Sequence, residues 1–202
     1  MKRARIGILG GTFDPPQMGH LILAEYSRES LQMDHILFVP VADHPVKLGE
    51  MRLPIKHRLT MLELAIKGNP HFSVSRVDID REGPHYSADT VSVIREQYPD
   101  AELYFVMGGD NLRSLPTWKR AQDLYRCCRL AVMKRADEKI APAMHDHVLP
   151  GLSRHVDIVD VPMLSMWLSS TFVAERLRDG LSVRYLVPDA VLAYIDDYDL
   201  YR

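Results

Sequence analysis

A short apolar run, Arg5 to Leu9, stops at the adjacent glycines Gly10 and Gly11. After the loop GGTFDPPQMG comes HLILAEYSRESLQ, in which Leu21, Ile22, Leu23, Tyr26 and Leu31 recur at helical spacing. This order, buried strand, glycine-bearing loop, amphipathic helix, restricts the chain to a few architectures. It reads as the first unit of an α/β fold, with backbone N–H groups and the positive end of a helix dipole facing one space beyond the strand. Such a space holds anions. Thr12 can donate a hydroxyl hydrogen bond into it, and His20, in the first helical turn, can donate to a phosphate oxygen or carry charge near neutral pH. A glycine pair by itself fits a plain tight turn equally well.

The remaining pattern repeats the unit. A strand is expected over His35 to Val39, a helix from near Pro54 to the stop at Gly68, a strand pair around Phe72 to Ile79 and a helix from about Asp89 to Gln97. Continuous apolar strands follow at Leu103 to Met107 and Leu130 to Met133. Ala136 to Ser153 reads as a loose insertion, and Ser170 to Tyr198 as two or three short helices. Apolar strands alternating with helices predict a Rossmann-like, doubly wound parallel sheet, within a single domain over 1–202 that carries a small C-terminal helical subregion at about 168–202. Ligands of such sheets sit beyond the carboxyl ends of the strands.

Composition narrows the chemistry. The 25 Lys and Arg nearly balance 27 Asp and Glu, a formal charge of −2, so no bulk field attracts nucleic acid and any phosphate recognition must be local. The neighbouring cysteines Cys127 and Cys128 suit neither a disulfide framework nor spaced metal ligands. The apolar part of MKRARIGILGG is too short for a signal peptide, and no stretch has the length of a membrane span, so a cytoplasmic, soluble protein without membrane association is expected, with a homo-oligomer compatible with all of this. The glycines fit neither G-x-G-x-x-G nor a Walker loop, which argues against hydride transfer and P-loop hydrolysis.

GGTFDPPQMGH resembles G-T-F-D-P-x-H-x-G-H, the signature of the nucleotidyltransferase superfamily that shares its fold with class I aminoacyl-tRNA synthetases. Over nearly the whole chain the resemblance narrows to bacterial nicotinate mononucleotide adenylyltransferases. REGPHYSADTV resembles that family's P-S-Y-T-x-D-T segment, GGDNLRSLPTW its G-x-D followed by P-x-W, LSSTFVAERLRDG its I-S-S-T-x-I-R, and LVPDAVLAYI its closing helix. The resemblance implies adenylyl transfer from ATP to nicotinate mononucleotide, with Mg2+ bound mainly through ATP phosphates and no protein metal ligand assigned. It gives catalytic roles to Thr12, His20 and Lys47. Gly10, Gly11, Thr12, Phe13, Gln17, Gly19, His20, Gly108, Asp110, Lys134, Arg135, Ser169, Ser170 and Thr171 are implied to bind ATP, and Tyr86, Ser87, Asp89 and Trp118 the pyridine nucleotide. Read from the residues alone, Trp118 is also a candidate core anchor, Asp110 a helix N-cap and Ser169 to Thr171 a capping cluster.

Three positions depart from the family pattern. Gln17 replaces its first histidine, Ala174 stands where an arginine belongs, and Val46 replaces the histidine of P-P-H-K. Arg176 or Arg178 is expected to compensate for Ala174, and His44 for Val46. Lys47, Arg52, Lys56 and Arg58 form either a phosphate-facing patch or a solvated basic face. The alternatives are an enzyme of the same fold with another phosphate acceptor, such as nicotinamide mononucleotide, phosphopantetheine or a sugar phosphate, and a catalytically weakened nucleotide sensor.

Overall fold

In the computed structural model the described residues are 3–42, 53–135, 138–161 and 168–202. Six strands form one parallel sheet: β1 (Arg5–Gly11), β2 (His35–Pro40), β3 (Phe72–Val74), β4 (Glu102–Gly108), β5 (Arg129–Lys134) and β6 (Val156–Asp160), in the order β3-β2-β1-β4-β5-β6. The chain runs outward from β1 through β2 to β3, then returns to place β4 on the other side of β1. The β1/β4 junction is therefore the point where the strand order reverses, which is where open α/β sheets bind ligands.

Both sheet faces are covered because β1, β2 and β4 carry apolar side chains on both. Ile6 and Ile8 of β1 pack with α3 (Ser87–Gln97) and α5 (Ala121–Cys127), through Ala88, Val91, Ile94, Leu124 and Tyr125. Leu9 points the opposite way, into a second core with Ala24 of α1 (Met18–Ser30) and with Leu62 and Ile66 of α2 (Ile55–Ile66). Burying a Leu or Ile side chain contributes about 1.5–3 kcal/mol, so these two cores set the layer order. The other face of α2 offers Met61 to a third cluster with Val173 and Leu177 of α6 (Ser170–Arg178) and Val191 and Ile195 of α7 (Asp189–Asp197). The C-terminal helices thus stand on α2.

Several boundaries differ from the sequence reading. Gly10 and Gly11 do not follow β1. They are its last residues, in register with Val39 and Pro40, and the left-handed turn comes at Phe13, φ 50°. The strand pair expected over Phe72 to Ile79 is β3 alone. Beyond Ser75 the backbone closes a turn, with the Ile79 and Asp80 N–H groups donating to the Arg76 carbonyl, and Asp78 is buried where it accepts from the Thr90 hydroxyl and pairs with Arg81. β6, an edge strand, buries only Val156 and Val159, so its segment VDIVD lacks the continuous apolar run that marks the central strands. Among the described residues no helix is long and apolar enough to cross a membrane.

Candidate active site

The first loop is fastened by hydrogen bonds within the chain. Gln17 is the N-cap of α1: its side-chain oxygen accepts from the Gly19 N–H, and its amide Nε2 donates to the Leu168 carbonyl at 3.3 Å. A Cβ on Gly19 would stand 2.6 Å from that oxygen, so a side chain there would push the Gln17 amide out of its capping position. The Gln17 backbone N–H donates to Nδ1 of His20 at 3.1 Å. An Nδ1 that accepts carries no hydrogen, so the neutral ring has its proton on Nε2, available as a donor. Burial lowers the His20 pKa to about 4. The cationic His20 considered from sequence is therefore corrected: the imidazole is neutral at physiological pH, and the buried Phe13 ring meets it edge-on at 4.9 Å.

Around His20 lies a cleft of about 240 Å³. Of the residues assigned to ATP from sequence, Gln17, Gly19, His20, Gly108, Asp110, Lys134, Arg135, Ser169 and Ser170 line it together, although they come from four separate parts of the chain. Gly10, Gly11, Thr12, Phe13 and Thr171 do not. Phe13 is buried beneath His20, and Thr171 is exposed on α6. Leu23, Met133, Val161 and Leu168 complete the walls, unassigned from sequence because apolar wall residues look like core.

Capping and recognition overlap here. Ser169 is the N-cap of α6, its hydroxyl accepting from the Phe172 N–H at 3.1 Å, while the Ser170 hydroxyl donates to the Pro15 carbonyl at 2.8 Å, tying α6 to the first loop. Asp110 is not an N-cap. Gly108 holds that position for α4 (Gly109–Ser114), leaving the Asp110 carboxylate in the first turn, on the cleft wall. Lys134 pairs with the exposed Asp160 at 3.1 Å. Glu138, which carries no local sequence signal, accepts from the Arg135 N–H at 3.0 Å and pairs with Arg113 at 2.8 Å, joining α4 to the loop after β5.

Of the residues expected from sequence to bind the pyridine nucleotide, Trp118 packs on the core that Ile6 and Ile8 share with α3 and α5. Trp118 is half-buried against Phe105, rings perpendicular at 6.2 Å, with Nε1 donating to the Ser114 hydroxyl at 3.3 Å. Asp89, in the first turn of α3, is ion-paired with Arg120, which brings Tyr86 and Ser87 at that helix start toward the Trp118 segment. Phe105 also lies 3.9 Å from where a Cβ of Gly10 would be. Gly10 and Gly11, both without side chains, end β1 with Gly10 facing Phe105 and Gly11 facing Phe13.

Other expectations need correction. Arg58 is not part of a phosphate patch: it is 1% exposed, and its guanidinium donates to the carbonyls of Leu53, Thr12 and Val41, bracing the first loop from below. Arg176 does not compensate for Ala174. It is on the far side of α6, bound to the Ser182 carbonyl, while Ala174 is buried and Arg178 is exposed. Lys47, His44, Val46 and Arg52 lie outside the described residues.

A parallel sheet with its cleft at the reversal of strand order, a helix N-terminus and hydroxyls facing it, defines a nucleotide-binding α/β transferase, and residues 8–176 match the model of the cytidylyltransferase-like family. The chain belongs to that family and, within it, to the nicotinate-nucleotide adenylyltransferases. A probable nicotinate-nucleotide adenylyltransferase of Thermomicrobium roseum is 41% identical over 199 residues, covering 98% of this chain and 92% of the relative. One from Dehalococcoides mccartyi is 41% identical over 204 residues, covering 100% and 99%. In fold, the chain is similar to the nicotinic acid mononucleotide adenylyltransferase of Plasmodium falciparum complexed with NaAD, with TM-score 0.80, 18% identity and 98% coverage of both chains.

Proposed function

We propose that this enzyme transfers the adenylyl group of ATP to the 5′-phosphate of nicotinate mononucleotide, giving nicotinate adenine dinucleotide and pyrophosphate, a step of NAD biosynthesis. The observation that carries the reading is the pair of glycines ending β1, Gly10 facing Phe105 and Gly11 facing Phe13. On one side lies the cleft of His20, Asp110 and Ser170, and on the other the aromatic shelf of Trp118. Two bulky nucleotides can each occupy one side and meet over the bare backbone between them.

In this reading an oxygen of the acceptor phosphate attacks the α-phosphorus of ATP in line, the new P–O bond forms as the bond to the bridging α,β-oxygen breaks, and the electron pair leaves with pyrophosphate. The nucleophile is already an anion, so no general base is required, and catalysis consists of alignment and stabilisation of phosphate charge. His20 supplies a neutral Nε2–H donor whose direction is fixed by the Gln17 N–H. Asp110 accepts from ribose hydroxyls, Trp118 stacks on the pyridine ring, and the N-terminal end of α6 faces phosphate. The polar part of the lining consists mainly of N–H and hydroxyl donors, with Asp110 the single carboxylate among the described lining residues, which suits phosphate oxygens better than a metal cage. Mg2+ therefore fits as an ion held by ATP, supplying positive charge to the triphosphate when bound.

Pyrophosphate release should be assayed with ATP and, in turn, nicotinate mononucleotide, nicotinamide mononucleotide, phosphopantetheine and a sugar phosphate. Turnover should be fastest with the first. Faster turnover with another acceptor would overturn the substrate, and ATP binding without turnover on any would leave a nucleotide sensor.

A further inference from the structure

The penultimate residue of the chain touches the first loop. The Tyr201 hydroxyl donates to one oxygen of Asp14, 187 residues away, and the other Asp14 oxygen accepts from the Leu53 N–H at 3.1 Å. The backbone is left-handed at both ends of this bond: Phe13, preceding Asp14, has φ 50°, Tyr201 itself has φ 68°, and Asp199 has φ 50°. A non-glycine residue in this conformation is strained and persists only where its surroundings dictate it. Leu200, between the two strained tail residues, is 7% exposed in the core built on α2. Desolvation and the neighbouring Asp14 carboxylate push the Tyr201 phenol far above its ordinary pKa, so it stays a donor throughout the working range.

Asp14 does not line the cleft, yet it lies between Phe13, which supports the His20 ring, and Pro15, whose carbonyl is held by Ser170. The C-terminal region also grips the same loop where the Leu186 carbonyl accepts from the Met18 N–H at 2.8 Å and where the Leu168 carbonyl accepts from the Gln17 amide. We propose that Tyr201 is a positioning residue for ATP: through Asp14 it fixes the strained turn at Phe13, and so the direction of the His20 donor, although it touches no substrate. This rests on the reading of the His20 cleft as the ATP site.

The test is a double-mutant cycle of Tyr201→Phe and Asp14→Ala, with Michaelis constants for both substrates and melting temperatures measured on each protein. Tyr201→Phe keeps the ring packing and should raise KM for ATP about tenfold, the size expected for one hydrogen bond to a charged group, while KM for the pyridine nucleotide changes less than about twofold. The double variant should be no worse than the poorer single one, since both remove the same bond. Equal changes in both Michaelis constants, a lower melting temperature with unchanged KM for ATP, or strictly additive effects would reduce Tyr201 to a structural tie and overturn the proposal. His20→Ala separates the two levels: if it leaves ATP turnover intact, the ATP reading itself is wrong, whereas its loss of turnover alongside an unaffected Tyr201→Phe removes only Tyr201.

Discussion

The Gln17 backbone N–H donates to Nδ1 of His20 at 3.1 Å, and this one bond fixes which face of the imidazole can serve a ligand. It sets the tautomer, and burial keeps the ring uncharged. His20 is thus a directed neutral donor, and its loss should be felt chiefly in the transition state. His20→Ala should lower kcat about 10²–10³-fold with the fold intact, the magnitude typical of removing one preorganised donor to developing charge. His20→Asn, which keeps an N–H, should recover part of that loss. Steady-state kinetics beside circular dichroism measures both.

Acid should act on stability through the same ring. The folded-state pKa of His20, about 4, lies below its ordinary 6.5, so between those values the unfolded chain binds the proton more readily. The contribution of neutral His20 is fully present above pH about 6.5, declines as pH falls towards 4 and is exhausted below it. Denaturant titrations should show a stability loss over that window that is smaller in His20→Asn. An NMR titration placing the His20 pKa near 6.5 would contradict the assignment.

Trp118 presents its half-buried ring beside Phe105 on the side of β1 away from His20. Trp118→Ala should raise KM for the pyridine nucleotide about tenfold and leave KM for ATP nearly unchanged, with Trp118→Phe intermediate. Competition experiments with nicotinate mononucleotide would reveal a mere packing role if both constants moved together.

Arg58 is buried, and its guanidinium donates to three carbonyls. Arg58→Met keeps much of the volume but removes those donors, and should destabilise the protein by at least about 2–3 kcal/mol. Chemical denaturation is the direct measurement. A shift within a few tenths of a kcal/mol would mean the first loop is braced by its other ties alone.

The two cysteines should differ in reactivity. Burial pushes the Cys128 thiol up to about 12, and its S–H donates to the Leu124 carbonyl at 3.3 Å, whereas Cys127 is half-buried. A thiol reagent at pH 8 should label Cys127 in the native protein and reach Cys128 only after unfolding. Mass spectrometry of the labelled peptides distinguishes the two.

Much of this was present in the residue order. The apolar strands and helical spacing identify β1, α1, β2, α2, β4 and β5 because period and burial are local properties of a chain. The motifs GTFDPPQMGH, GGDNLRSLPTW and LSSTF name most of the cleft lining for the same reason: each sits where a strand ends or a helix begins, a position readable from its own neighbours. Tertiary structure alone decided the rest. Arg58 reads as a surface cation until the loops of Thr12 and Val41 close over it, and the charge state of His20 depends on what buries it. Tyr201 carries no sequence signal at all, since its partner is 187 residues away. Local sequence fixes propensity and pattern, but hydrogen-bond partners and desolvation are properties of the packed chain, and those determine what each group in this site can do.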